Sequence, residues 1–158
     1  MGARAAVILL ALVLAAGWAA CAGQAEEAET ADTGQPLPVQ WVHDWEEAKD
    51  MASEEDKPIM VNFYTDICPA CDRLDRDTFG DEDVRAFLNE NFINVKSHTT
   101  RSGVHEKFGI RGVPTTIFAT PEGEEMGRIF GYYPPESFLE GCRAAQDHWN
   151  TDFKDQGG

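Results

Sequence analysis

Two cysteines lie three positions apart in the segment DICPACDRL, where an apolar run gives way to a charged, helical pattern. Cys68 and Cys71 could bind a metal, form a structural disulfide or act as a dithiol that exchanges bonds with other thiols. Structural zinc takes four ligands, commonly two such pairs, and the sequence has no second C-x-x-C. A disulfide that closes so short a loop removes little chain entropy, so it would stabilise the fold weakly. A redox pair is therefore favoured, and a Cu(I) site stays open because soft thiolates also bind that ion.

The residues around the pair favour redox chemistry. Cys68 directly precedes a predicted helix, and the free N–H groups and dipole of a helix N-terminus stabilise negative charge. A thiolate is the species that attacks a disulfide. Pro69 suits the first helical turn, where a missing N–H is harmless. Cys71, one turn further on, is then the less exposed thiol that resolves the mixed disulfide.

The elements that must position the pair alternate along the chain. The apolar run 59–64 predicts a strand buried on both faces, and Asp44 and Asp81 are predicted helix caps. The other predicted strands are 39–42, 92–97, 115–120 and 126–132, and the other predicted helices follow Cys68, span 104–109 and begin at Pro135. Helices that alternate with strands in this way predict an α/β fold with helices on both faces of a sheet.

Two motifs in the expected order resemble the thioredoxin fold. KPIMVNFYTDICPAC is similar to the strand and dithiol helix of that family, and FGIRGVPTTIF, residues 108–118, is similar to its cis-proline loop. The first motif and its continuation to DEDV are most similar to the C-terminal periplasmic domain of transmembrane thiol-disulfide interchange reductases. The resemblance implies a thioredoxin fold with a mixed central sheet over residues 39–150.

The resemblance also implies roles for residues outside the dithiol. Pro114 is expected to be a cis-proline beside the cysteines, and the backbone of Val113 is expected to hold an extended substrate chain. Pro69 is expected to contribute to the same substrate site. No metal and no organic cofactor is implied.

The sequence departs from the family pattern near the cysteines. Asn62 stands where thioredoxins have a buried Asp, and a carboxamide can hydrogen-bond but cannot titrate. Ile67 stands where the family usually has Trp. Asp66 and Asp72 flank the pair and oppose thiolate formation by like-charge repulsion. The balance between these carboxylates and the helix N-terminus stays open at this point.

The N-terminal residues predict export. Residues 1–22 contain one early arginine, an apolar run and then small residues, which is the layout of a secretory signal peptide. The run is shorter than the roughly 20 residues that a membrane-spanning helix needs, so an uncleaved anchor is the minor alternative. WAAC resembles the bacterial lipobox, which implies cleavage before Cys21 and a lipid on that residue, and the competing cut follows Ala22.

Composition delimits the remaining segments. Residues 23–38 are acidic and lack aromatic residues, which predicts a flexible linker, and residues 151–158 are predicted to form a disordered tail. A net charge of −15 argues against nucleic acid or another anionic surface as a partner. The four histidines show no clustering and are predicted at the surface or at sheet edges, whereas Cys142 is predicted to be buried.

The expected function is an exported thiol-disulfide oxidoreductase, tethered to a membrane if Cys21 is lipidated. The resemblance implies the reductase direction, with oxidised exported proteins as substrates and a membrane thiol-disulfide reductase as electron donor. Two alternatives stay open. One is a periplasmic copper-delivery protein that binds Cu(I) through Cys68 and Cys71, and the other is a non-catalytic thioredoxin-like binding module.

Overall fold

The computed structural model describes residues 37–154 of the 158. The predicted signal peptide, Cys21, residues 23–36 of the predicted linker and residues 155–158 lie outside the described residues. Within residues 37–154, none of the helices has the length and apolar character needed to cross a membrane.

A five-stranded mixed sheet forms the centre of the fold, with the order β1-β3-β2-β4-β5. The strands are β1 (Trp41–Val42), β2 (Ile59–Tyr64), β3 (Ile93–His98), β4 (Thr115–Ala119) and β5 (Glu125–Phe130). The central strand β2 pairs in parallel with β3 and antiparallel with β4. Residues 59–63 of β2 are buried, as the continuous apolar run predicted. The mixed sheet expected from the resemblance is thereby confirmed.

The helices begin and end close to the predicted positions. They are α1 (Trp45–Glu55), α2 (Pro69–Arg73), α3 (Glu82–Asn91), α4 (Val104–Lys107) and α5 (Pro135–His148). Asp44 caps α1 by accepting a hydrogen bond from the Glu47 amide, and Asp81 caps α3 by accepting from the Val84 amide. Side-chain oxygens at these positions satisfy amides that the helix leaves without a partner.

The period-two alternation of β2 divides the core between the two faces of the sheet. Met60 packs with residues of α3 and α5, such as Leu88 and Phe138, whereas Val61 packs with residues of α1, such as Ala48. Successive side chains of a strand point to opposite faces. Both faces of the sheet are therefore covered by helices, as predicted.

The C-terminal end of the described chain differs from the prediction. A π-helical turn, Trp149–Phe153, continues α5 beyond residue 150, and the ring of Phe153 stacks on Trp149 with centroids 6.1 Å apart. Residues 151–153 therefore belong to the folded part and not to a disordered tail. Their apolar spacing of four positions continues the stripe of α5, which keeps one side of the turn against the domain.

Candidate active site

The topology brings the predicted site residues to one end of the sheet. β2 ends at Tyr64, four residues before Cys68, and β4 begins at Thr115, which is paired with Phe63. Because β2 and β4 are antiparallel, Pro114 at the start of β4 lies at the same sheet end as the loop that leaves β2.

Cys68 and Cys71 form a disulfide, with an S–S distance of 2.08 Å and a Cα–Cα distance of 5.2 Å. Cys68 is the N-cap of α2, Pro69 occupies the first helical turn, and Sγ of Cys68 accepts a hydrogen bond of 3.1 Å from the Cys71 amide. The same amide can stabilise a Cys68 thiolate in the reduced protein, since hydrogen bonds to an anion are stronger than those to a neutral acceptor. The helix N-terminus adds a favourable dipole.

The cysteines are more buried than the sequence led us to expect. Cys68 is 7% exposed and Cys71 is 3% exposed, so the predicted order of accessibility holds but neither residue is open to solvent. Pro69 is exposed, and Ile67 is 91% exposed. A substrate disulfide must therefore approach closely over Ile67 and Pro69 to reach the sulfur of Cys68.

The Val113–Pro114 peptide bond is cis, as the resemblance implied. Pro114 is buried and Val113 is half-buried. The loop is tied to the residue that follows β5, because the Pro114 carbonyl accepts a 2.8 Å hydrogen bond from the Gly131 amide. Phe130, 67% exposed, lies against Gly112, where an added Cβ would meet its ring at 3.0 Å. An apolar aromatic surface thus borders the proline loop.

The carboxylate of Asp66, two residues before Cys68, is paired. Arg101 donates to both of its oxygens at 2.8 and 3.1 Å, and Nε2 of His98 lies 3.3 Å from it. Asp72 makes no such pair among the described residues and is exposed, so its charge is screened by water. The repulsion that the sequence predicted at Cys68 is weakened on both sides.

His98 corrects the prediction that all four histidines lie at the surface or at edges, since it is only 7% exposed. Its Nδ1 accepts a 3.2 Å hydrogen bond from the Thr100 amide. A neutral ring that accepts at Nδ1 carries its proton on Nε2, the atom that faces Asp66. The contact joins the end of β3 to the loop that follows β2, and no local pattern in the sequence signals it.

Asn62 is fully buried on β2. Its Nδ2 donates a 3.0 Å hydrogen bond to Oγ1 of Thr116, whereas its Oδ1 has no hydrogen-bond partner within residues 37–154. The residue is a fixed polar group in the core, in register with Lys96 on β3. Proton transfer to or from Cys71 cannot use the side chain of Asn62, because a carboxamide does not titrate.

Lys96 is a feature that the sequence analysis missed. Its ammonium donates to Asp75 and lies 4.9 to 5.4 Å from the ring centroids of Trp41, Tyr64 and Phe79. Burial lowers the pKa of Lys96, and the hydrogen bond that Lys96 donates to Asp75 opposes that shift. The pair joins strand β3 to the π-helical turn Leu74–Thr78, which continues α2, the helix that carries the dithiol.

The remaining described cysteine takes no part in this arrangement. Cys142 is buried within α5, as predicted, and burial raises its pKa to about 12. A thiol with such a pKa is almost entirely protonated at neutral pH and is a poor nucleophile. In the described part of the chain, no group of three or more His, Cys, Asp or Glu side chains could hold a metal ion.

The Cys68–Cys71 disulfide thus lies at a helix N-terminus, at the same end of a mixed sheet as a cis-proline loop. A profile of the thioredoxin-like domain matches residues 45–146, which is more than half of the chain. The chain therefore belongs to the thioredoxin-like domain family.

Two curated relatives illustrate the similarity. The thiol:disulfide interchange protein DsbD of Ralstonia nicotianae is 32% identical over 113 residues, which cover 68% of this chain and 18% of that protein. The thioredoxin-like protein HCF164 of rice, Oryza sativa subsp. japonica, is 32% identical over 85 residues, covering 53% of this chain and 32% of that protein. The chain thus spans less than a third of the length of either relative.

Solved structures share the fold. A thioredoxin from Thermus thermophilus has a TM-score of 0.61 at 24% identity, covering 68% of this chain and 87% of that one. The oxidised C-terminal domain of DsbD from Neisseria meningitidis has a TM-score of 0.57 at 20% identity, covering 67% of this chain and 99% of that domain. The resemblance to the interchange reductases, inferred from the first motif and its continuation, is confirmed by the family match and the curated relatives, and the solved C-terminal domain shares the fold.

Proposed function

We propose that the protein is an exported reductase of protein disulfides, with Cys68 as the attacking thiol and Cys71 as the resolving thiol. The observation that carries the proposal is the hydrogen bond from the Cys71 amide to Sγ of Cys68. This hydrogen bond stabilises negative charge on one sulfur of the pair, that of Cys68, which lies at the N-cap of α2.

The reaction follows from this asymmetry. The Cys68 thiolate attacks one sulfur of a substrate disulfide, forming a mixed disulfide and expelling the other substrate sulfur, which takes up a proton. Cys71 then loses its proton and attacks Sγ of Cys68, which releases the second substrate sulfur as a thiol. Two electrons pass to the substrate, and the Cys68–Cys71 disulfide remains to be reduced by a donor dithiol.

Val113, Pro114 and Pro69 are the proposed substrate-binding residues. The half-buried Val113 has its backbone beside the dithiol end of the sheet, where an extended chain could hydrogen-bond to it. Pro69 is exposed on the N-terminal turn of α2, within reach of a chain that approaches Cys68. The exposed ring of Phe130 supplies apolar area on the far side of the loop.

The compartment and the partners are proposed from the sequence and the relatives. Residues 1–22 are proposed to direct export, and Cys21 is proposed to carry a lipid that tethers the domain through the linker 23–38. Relatives named as thiol:disulfide interchange proteins support oxidised exported proteins as substrates. The family resemblance leads us to propose a membrane thiol-disulfide reductase as the electron donor.

Reduction of insulin with dithiothreitol as donor tests the activity. The wild-type protein should accelerate the reaction, and Cys68→Ser should abolish the acceleration, while Cys142→Ala serves as the control for loss of a thiol outside the site. Tight stoichiometric Cu(I) binding without any exchange activity would instead support copper delivery. Absence of both activities would support a non-catalytic binding module.

The reduction potential of the Cys68–Cys71 pair tests the direction. A value near that of thioredoxin, about −270 mV, supports a reductase, whereas a value near that of the oxidant DsbA, about −120 mV, would contradict it. Incorporation of labelled palmitate into the wild-type protein but not into Cys21→Ser tests the tether separately.

A further inference from the structure

An open cleft of about 340 Å³ lies beside Val113, and we call it the Val113 cleft. Thr65, which precedes Cys68 by three residues, lines one side, and the loop that leads to Pro114 lines the other. A substrate chain that runs along Val113 with its cysteine at Cys68 must pass the mouth of this cleft. The side chain next to the substrate cysteine is therefore the group that the cleft can receive.

The cleft is lined by an arginine and by no carboxylate, although the chain is strongly acidic. The protein has 28 Asp and Glu residues against 13 Lys and Arg, yet no carboxylate is among the residues that line the cleft. Arg111 and His105 are there instead. Two carboxylates adjoin lining residues in sequence: Asp66, which is paired with Arg101, and Glu106, which is exposed and follows His105. A carboxylate that entered the cleft would meet the guanidinium of Arg111 and no competing anion of the lining.

Arg111 is available to such a ligand. Its side chain is exposed and takes part in no hydrogen bond or ion pair with any residue between 37 and 154. The guanidinium is charged at all relevant pH values, and its planar fork matches the two oxygens of a carboxylate. Binding of an external anion to Arg111 would therefore break no hydrogen bond or ion pair within residues 37–154.

The other walls suit the rest of an acidic side chain. Nδ1 of His105 donates a 2.8 Å hydrogen bond to the Ser102 carbonyl, which fixes the ring against the cleft. The hydroxyl of Thr99 can donate a hydrogen bond to a carboxylate oxygen, whereas the hydroxyls of Thr65 and Thr100 already contact the Ile67 carbonyl and Nδ1 of His98. Ile110 and Val113 offer apolar contact to its methylene groups.

We propose that the Val113 cleft is a specificity subsite that accepts an acidic residue adjacent to the reactive cysteine of the substrate. The proposal rests on the proposed function, since it needs the substrate chain to run along Val113 toward Cys68. It identifies the preferred substrate as a disulfide in an acidic sequence context. Arg111 is the residue that sets this preference.

The test uses the reduced protein and a set of synthetic peptides in which one cysteine is joined to pyridine-2-thiol. Attack of the Cys68 thiolate on the peptide sulfur expels pyridine-2-thione, which is followed by its absorbance. The peptides differ only in having Glu, Gln or Lys next to the cysteine, on either side. Each rate is divided by the rate at which dithiothreitol cleaves the same peptide, which removes the intrinsic effect of the neighbouring charge on the disulfide.

We expect the wild-type protein to favour the Glu peptide over the Gln peptide by about two- to fivefold, the range of an exposed ion pair, and to favour the Lys peptide least. Arg111→Gln should remove the preference without slowing reaction of the Gln peptide. The control Arg143→Gln removes the same charge from an exposed position on α5 and should keep the preference.

Two failures are distinguishable. If no peptide releases pyridine-2-thione through Cys68, the proposed function fails. If all three peptides react through Cys68 at equal normalised rates, or if the preference for Glu survives in Arg111→Gln, the exchange activity stands and the subsite is wrong.

Discussion

The amide of Cys71 donates a hydrogen bond of 3.1 Å to Sγ of Cys68, the N-cap of α2. This contact makes the two sulfurs unequal even though they belong to one disulfide. A donor aimed at Cys68 stabilises negative charge on that sulfur, whereas Cys71 lies one turn further into the helix and is 3% exposed. The division of labour between the two cysteines follows from this local geometry.

The first prediction concerns the reduced dithiol. At neutral pH, iodoacetamide should alkylate Cys68 faster than Cys71 by about tenfold or more, because the alkylation rate follows the thiolate population and access to the sulfur. Mass spectrometry of peptides from protein quenched at successive times measures both rates. Equal rates for the two thiols, or faster alkylation of Cys71, would remove the basis for assigning Cys68 as the nucleophile.

A second prediction concerns the ion pair beside the dithiol. Arg101→Gln leaves Asp66 without the guanidinium that donates to both of its oxygens, so the carboxylate repels a Cys68 thiolate more strongly. Alkylation of Cys68 should slow by about two- to threefold at low salt, and added salt should shrink the difference, since both side chains are exposed. Lys49→Gln, which removes a cation paired with Glu46 on α1, is the matched control and should leave the rate unchanged.

The contact between Lys96 and Asp75 predicts a stability effect that depends on which partner is removed. The side chain of Lys96 is 10% exposed and that of Asp75 is 47% exposed, so Asp75→Ala leaves a largely buried ammonium without its carboxylate. We expect the free energy of unfolding to fall by roughly 1–2 kcal/mol, because removing one partner of such a pair exposes the desolvation cost of the other.

The double variant Lys96→Met/Asp75→Ala is the control for that prediction. It removes the ammonium together with its partner and keeps an apolar side chain against the three rings, so it should be less destabilised than Asp75→Ala alone. Urea unfolding of the wild type, Asp75→Ala, Lys96→Met and the double variant measures the coupling. If the changes in the free energy of unfolding caused by the two single substitutions simply add in the double variant, Lys96 and Asp75 do not stabilise each other and the prediction is wrong.

The burial of Cys142 leads us to expect that the free energy of unfolding depends on pH above about pH 9. Burial raises its pKa from 9.0 to about 12, so between these values the unfolded chain releases a proton that the folded protein keeps. The free energy of unfolding must then fall as pH rises through this window, by up to about 1.4 kcal/mol per unit from this group. Cys142→Ala should show a shallower decline in urea unfolding at a series of pH values above 9, and an unchanged slope would contradict it.

Local patterns predicted most of the fold. The apolar run 59–64 became the central strand, and Asp44 and Asp81 cap the helices that they were predicted to begin. These features depend on residues a few positions apart, which is why the sequence alone was sufficient. The two π-helical turns that follow α2 and α5 were not predicted, because their apolar spacing does not differ from that of an ordinary helix end.

The sequence predicted only the parts of the site whose residues lie close together along the chain or match a family motif. Cys68, Pro69 and Cys71 adjoin one another in sequence, and the family resemblance pointed to Pro114. The contact of His98 with Asp66 and that of Lys96 with Asp75 join residues far apart in the chain, and nothing in either neighbourhood signals them. The same holds for the 2.6 Å hydrogen bond from Thr78 to the Tyr133 carbonyl.

Trapping the reaction intermediate tests the central assignment most directly. Reduced Cys71→Ser, mixed with insulin, should accumulate a covalent complex, because the resolving thiol is gone. Mass spectrometry should find Cys68 joined to an insulin cysteine, and dithiothreitol should cleave the complex. Reduced Cys68→Ser should accumulate none under the same conditions. A complex through Cys71 in Cys68→Ser, with none in Cys71→Ser, would contradict the account.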